Sequence, residues 1–130
     1  MKQLLVWFGA LLIFTLVMTA IMRAEEPSQK FYWPSVIVFA GGNALDAHSS
    51  WGQRELNPYA ASANGRYGAK GLSIKIAYTA GMMAMEQVII HVLPKGKARN
   101  KARGVFTKFN FVAGGGFSGI AVRNYIVRTR

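Results

Sequence analysis

The chain has 130 residues, enough for a single domain. Hydrophobic residues make up 52% and charged residues 16%, against about 25% charged residues in ordinary soluble domains, so the composition favours a membrane setting. The net charge of +11 would ordinarily suggest nucleic acid as a partner. Because cysteine is absent, disulfides, thiolate zinc sites, iron–sulfur clusters and cysteine nucleophiles are excluded.

The first predicted element is an uncharged apolar run, residues 4–22. Nineteen helical residues span about 28 Å, close to the roughly 30 Å hydrocarbon core of a bilayer. Ala24, which precedes two glutamates, also fits a signal-peptide cleavage site. Residues 1–24 are therefore either a signal peptide or a retained N-terminal membrane anchor, and residues 25–33 form a linker.

Three further helices are predicted, over residues 34–51, 68–93 and 105–127. Pro34 suits a first helical turn, where its missing N–H group costs nothing. Pro94 follows the position at which the middle helix should end. The predicted fold is all-α, a small helical membrane bundle of three to four helices, with residues 34–130 as the membrane domain.

Polar side chains within these helices are the candidates for chemistry, because each is costly in lipid and faces protein or water. Together with two side chains from the loop after the first of these helices, they form one hypothetical polar cluster: Asp46, His48, Glu55, Asn57, Lys75 and Glu86. Asp46 with Lys75 is one plausible structural couple, and Glu86 with Lys108 is another. The alternative is a proton or ion pathway through Asp46, Lys75 and Glu86. Because Asp46 and His48 interrupt the second half of the predicted helix over residues 34–51, the sequence is compatible with a helix that crosses the membrane fully and with one that does not.

Small residues four positions apart predict where helices pack closely. Ala77 and Gly81 form one such pair, and Gly115 and Gly119 form another within a glycine-rich stretch. Small side chains at this spacing let two helix backbones approach each other in lipid. These four residues are therefore the predicted helix-packing positions.

A basic segment separates the last two predicted helices. Five of the sixteen basic residues lie there within nine positions, namely Lys95, Lys97, Arg99, Lys101 and Arg103. Basic residues in short loops stay on the cytoplasmic side, and beside a membrane they attract anionic lipid headgroups. Because the positive charge is concentrated in this way, we predict contact with anionic lipid and no nucleic-acid partner.

Catalytic and metal motifs are absent from the sequence. It contains no G-x-S-x-G, H-E-x-x-H or S-x-x-K pattern and no Glu-x-x-His pair of the kind that binds iron in helical bundles. His48 and His91 lie near helix ends expected on opposite sides of the bundle, which disfavours a shared haem. We predict no cofactor and no metal, and we expect a non-enzymatic protein more than an enzyme.

One pattern resembles a known family. Asp46 is followed by Ser49 and Ser50 near a helix end, and then by the turn Glu55-Leu56-Asn57-Pro58. This arrangement is similar to a family of small bacterial multi-pass membrane proteins with an Asp-x-x-Ser/Thr helix end and a Glu-x-Asn-Pro turn. The resemblance implies a helical membrane fold, multi-pass in the bacterial inner membrane, and implies no particular activity.

The function expected from these features is that of a non-enzymatic accessory or assembly partner of a membrane complex. Its partners would be the lipid bilayer and either another membrane protein or further copies of the chain. Two alternatives belong to other classes: a small ion or solute transporter or holin-like pore, and a lipid-modifying membrane enzyme that uses Asp46, His48 and Glu55.

Overall fold

The computed structural model describes residues 29–128, which fold into three α-helices: α1 (Tyr32–Ser50), α2 (Ala69–Val92) and α3 (Lys97–Arg128). A single 3-10 turn, Gln29–Phe31, leads into α1. The all-α prediction is therefore confirmed over this range. The predicted signal peptide or anchor, residues 1–24, lies outside the described residues.

The helix ends agree with the sequence pattern for α1 and α2 but differ for α3. The basic segment predicted as a loop is helical from Lys97 onwards, eight residues earlier than the expected start at 105. Gly96 makes the turn with a φ of 111°, a conformation that glycine adopts readily. Lysine, arginine and alanine are strong helix formers, so the charge of this segment does not prevent it from joining α3.

The prediction of a multi-pass protein of the bacterial inner membrane is wrong for the described chain. Within residues 29–128, no helix has both the length and the continuous apolar character needed to cross a bilayer. Polar and charged side chains interrupt each candidate: Asn43 and Asp46 in α1, Lys75 and Glu86 in α2, and Lys108 in α3.

Among the described helices, α1 and α3 form the most extensive contact. At Gly42 a Cβ atom would overlap the backbone of Gly114, and at Gly114 it would overlap the backbone of Val38. The missing side chains therefore let the two backbones touch. Beside this contact Phe39 is fully buried, with its ring 5.9 Å from that of Phe109.

The segment between α1 and α2 is a compact turn structure. The backbones of Gly52 and Tyr67 are joined by a hydrogen bond of 2.9 Å, and those of Glu55 and Gly65 by one of 3.0 Å. Gly52 and Gly65 have positive φ values of 76° and 70°, which allow these reversals without strain. The segment brings the chain back so that α2 can run beside α1.

Candidate functional site

The helix α2 is the least buried of the three helices and is the focus of the site. Its buried residues are Gly71, Glu86 and Ile90, whereas α1 buries nine residues. Two groups of polar side chains join it to α1 and α3. We call them the ion-pair cluster, centred on Asp46 and Lys75, and the carboxyl cluster, centred on Glu86.

The ion-pair cluster connects the N-terminal third of α2 to the C-terminal end of α1. Lys75 Nζ donates to Asp46 Oδ2, and both side chains are largely shielded from solvent, with exposed fractions of 18% and 10%. Ser50 Oγ donates to Asp46 Oδ1 at 3.5 Å. The Lys75 ammonium also lies 4.9 Å from the centre of the Phe117 ring of α3, where a cation is attracted by the π-electrons. The predicted Asp46–Lys75 couple is confirmed.

The carboxyl cluster joins the C-terminal half of α2 to both other helices. The Glu86 side chain is fully buried, and its Oε2 accepts hydrogen bonds from the Tyr32 hydroxyl at 3.0 Å and from Asn110 Nδ2 at 3.1 Å. Gln87 Nε2 donates to the same Tyr32 oxygen at 2.8 Å. Glu86 Oε1 has no hydrogen-bond partner among the described residues.

Burial dominates the electrostatics of this cluster. It raises the pKa of Glu86 above its ordinary 4.5, and the donors Asn110 and Tyr32 offset only part of that rise. Burial and the neighbouring Glu86 carboxyl together raise the pKa of Tyr32 to about 12. Both groups are therefore biased toward their neutral, protonated forms, which removes the cost of a buried charge without a cationic partner.

An apolar cavity of about 530 Å³ separates α1 from α2. On the α1 side it is lined by Ala40, Ala44 and Ala47, whose side chains are too short to reach across to α2. Asn43 also lines it, and the buried Oδ1 atom of that residue has no hydrogen-bond partner among residues 29–128. Beside this cavity, polar contacts position α2, and apolar packing against α1 is concentrated near its C-terminal end, where Ile90 is buried with Tyr32 and Val36.

The opposite side of α2 carries an exposed apolar stripe, which we call the outer stripe. Its members are Ile74, Tyr78, Gly81, Met85, Val88 and Val92. Tyr78 lies at the edge of the stripe toward α1, and its ring, although 47% exposed, packs edge-on against that of Phe39 with 6.4 Å between the ring centres. At 100° per residue these positions fall within about 40° of one direction, whereas the cavity-lining residues Leu72, Ile76 and Met83 fall on the other side. The helix is thus apolar on two opposite faces. The described residues cover the face toward α1 only in part, since Ile76 is 58% exposed there, and they leave the outer stripe exposed.

Arg99 of α3 caps the C-terminal end of α2 at the junction between the two helices. Its guanidinium donates to the Leu93 carbonyl at 2.7 Å and to the His91 carbonyl at 3.2 Å. These are among the carbonyl groups that a helix leaves without partners at its C-terminus, and a cation there also complements the helix dipole. Two of the five predicted lipid-contacting residues therefore make hydrogen bonds within the chain. Arg99 does so at this junction, and Arg103 donates to Gln29 Oε1 at 3.0 Å.

The remaining members of the predicted polar cluster are divided between other contacts. His48 Nδ1 is hydrogen-bonded to the Tyr125 hydroxyl. Glu55 Oε1 accepts from the backbone of Asn57 at 2.8 Å, within the turn segment. Glu86 lies eleven residues, about 16 Å along the helix, from Lys75. Asp46, His48 and Glu55, the proposed set for lipid chemistry, therefore each engage a different partner.

The predicted helix-packing residues lie on exposed surfaces. Ala77 and Gly81 are exposed on α2. Gly115 and Gly119 are exposed on α3, and added Cβ atoms there would meet nothing within 4 Å, as at Gly81. These residues are free to pack against another molecule, while Gly42 and Gly114 make the close contact within the chain.

Among residues 29–128, no group of three or more His, Cys, Asp or Glu side chains could hold a metal ion. No protein family, curated protein or solved structure matches this chain. The family resemblance carried by Asp46 and the Glu55–Pro58 turn therefore stays a prediction.

Two features of the site were missed by the sequence reasoning. The first is Tyr32, which was placed in the linker although it is buried and joins Glu86 to Gln87. Nothing in the local sequence marks its partners. The second is the outer stripe, whose regular spacing is visible in the sequence between Ile74 and Val92 and could have been recognised there.

Proposed function

We propose that this chain is a non-enzymatic assembly protein that binds another macromolecule through the outer stripe of α2. The observation that carries the proposal is that α2 is apolar on two opposite faces and that residues 29–128 leave the outer stripe exposed along its length. A helix that is hydrophobic on all sides is typically buried on all sides. A partner seated on the outer stripe would bury the more exposed of the two apolar faces.

The exposure of individual stripe residues supports the proposal. Val88 is 60% exposed and Val92 is 79% exposed, and they continue the same face as Ile74 at 46%. Single exposed apolar residues are normal on protein surfaces, but a contiguous row along a helix of 24 residues is typical of an interaction surface.

Site-specific photo-cross-linking in the native host tests the proposal. A photoreactive amino acid at Met85, on the outer stripe, should give a discrete adduct of higher mass. The same amino acid at Leu56, which is 83% exposed in the turn segment, should give none. The stripe substitution Val88→Lys should abolish the Met85 adduct. Ile37→Lys, at an apolar position of α1 that is 70% exposed against 60% for Val88, should leave it unchanged.

Several results would contradict the proposal. One is an equal yield of the same adduct from positions 85 and 56, which would indicate non-specific contact. Others are loss of the adduct in the Ile37→Lys control and a cross-link from position 85 back to residues 1–28 of the same chain. Absence of any adduct at position 85 would also count against it.

A further inference from the structure

The spacing of the outer stripe matches one kind of partner. From Ile74 to Val92 the stripe residues are separated by four, three, four, three and four positions. This alternation is the a/d pattern of a coiled coil, in which side chains from one helix insert between those of another. Tyr78, Met85 and Val92 take the a positions, and Ile74, Gly81 and Val88 take the d positions. Gly81, near the centre, allows close approach of the facing helix.

Positive charge lies at both ends of this seam. Lys70 precedes Ile74 by one helical turn on the same face, and Lys95 and Lys97 follow the end of α2; all three are exposed. Each acidic residue among 29–128 is already engaged: Asp46 by Lys75, Glu55 by the Asn57 backbone, and Glu86 by Tyr32 and Asn110.

A second copy of the chain is a poor electrostatic match for this surface. Antiparallel pairing of two α2 helices brings Lys70 of one beside the Lys95 end of the other. Parallel pairing brings the two Lys70 side chains together. Like charges facing each other across a helix pair disfavour association. The surface therefore selects a partner with the opposite charge.

We propose that the outer stripe forms a two-helix coiled coil with a helix from another protein, one with an apolar a/d seam and acidic flanking residues. This proposal rests on the proposed function and adds the chemistry of the partner. The apolar seam would supply most of the binding, and the acidic flanks would supply selectivity and faster association.

Fluorescence anisotropy with two synthetic peptides tests the proposal on the purified full-length chain. Both peptides contain three heptads with leucine at a and d. One has glutamate at every e and g position, and the other has lysine there. At low salt the glutamate peptide should bind about tenfold more tightly than the lysine peptide, and high salt should reduce this difference.

Charge-reversal variants of the protein test directly whether its lysines select the acidic peptide. The double variant Lys70→Glu with Lys95→Glu should reverse the preference, so that the lysine peptide binds more tightly. Val88→Lys should abolish binding of both peptides, and Ile37→Lys should leave both affinities unchanged. Circular dichroism of each variant should match that of the parent chain, because all four positions are exposed.

Failure of this inference can be told apart from failure of the proposed function. A Met85 adduct in the native host together with equal binding of the two peptides would preserve the function and overturn the acidic partner. Absence of binding by both peptides would overturn the coiled coil. A stable dimer of the chain that Val88→Lys dissociates would show that a second copy occupies the stripe.

Discussion

The two interfaces of this small bundle are built from different chemistry. The helices α1 and α3 meet through backbone contact at Gly42 and Gly114 and through the buried ring of Phe39. In contrast, α2 is joined to them by the ion-pair cluster and the carboxyl cluster, with an apolar cavity between α1 and α2. Close packing fixes the first pair of helices in one arrangement, whereas directional polar contacts and one small apolar cluster around Ile90 position the third.

This difference bears on the proposed function. A helix that must present one face to a partner benefits from an attachment that fixes its orientation without covering both sides. The Asp46–Lys75 and Glu86–Tyr32 contacts both lie on the inner side of α2 and leave the outer stripe exposed, although the Tyr78 ring at its edge also packs against Phe39. The α1–α3 pair would then serve as the rigid base for a binding helix.

The largest expected effect is at the α1–α3 contact. Gly114→Ala should lower the free energy of unfolding by about 3 kcal/mol, because the new methyl group overlaps the Val38 backbone, which cannot move away easily. Gly115→Ala is the matched control. Its Cβ meets nothing within 4 Å, so this change should be neutral or stabilise by up to about 1 kcal/mol.

Urea denaturation followed by circular dichroism measures both variants. Equal stability of the Gly114→Ala and Gly115→Ala proteins would show that the backbone contact does not hold α1 to α3. The α1–α3 interface would then not be held by close packing, and it would no longer differ in this way from the attachment of α2.

A smaller loss is expected at the ion-pair cluster. Lys75→Met should lower the free energy of unfolding by about 2 kcal/mol, because it leaves the poorly exposed Asp46 carboxylate without its cation. Lys70→Met, at an exposed position of the same helix, should change stability by less than about 0.5 kcal/mol. Hydrogen exchange should show the loss mainly in α2. A uniform loss of protection across all three helices would contradict the idea that α2 is attached separately.

Some of this arrangement could be predicted from the sequence. Pro34 and Pro94 mark helix ends that the structure reproduces within two residues, and the Asp46–Lys75 pair was expected from its opposite charges. These features depend on local rules or on charge alone. They do not require knowledge of how one helix is rotated against another.

What could not be predicted depends on helix rotation. Three consecutive glycines occur in α3, and the phase of that long helix decides that Gly114, and not Gly115, faces α1. For the same reason Glu86 meets Asn110 and Tyr32, neither of which was its expected partner. The sequence lists the polar residues, but their pairing follows from the packing of the whole bundle.

The junction of α2 with α3 should show a still smaller effect. Arg99→Met should lower the free energy of unfolding by about 1 kcal/mol, because the Leu93 and His91 carbonyls lose a charged donor at the C-terminal end of α2. Lys101→Met, which changes an exposed position in the same basic segment, should have almost no effect. Thermal unfolding of the two proteins measures the difference. If both substitutions lower the melting temperature equally, net charge and not the cap is responsible.

At any single pH, the carboxyl cluster should have the smallest effect on the free energy of unfolding. The dependence of that effect on pH, however, should be distinctive. Because burial raises the pKa of folded Glu86 above its ordinary 4.5, the folded chain holds this proton more tightly than the unfolded chain. Stability should therefore fall as the pH rises from about 4.5 through the folded-state pKa and then level off. Glu86→Gln, which keeps a neutral side chain of similar shape, should remove that fall, whereas Glu55→Gln should retain it. A difference profile between wild type and Glu86→Gln that is flat or rises with pH would show that the carboxyl cluster does not hold α2 through a protonated acid.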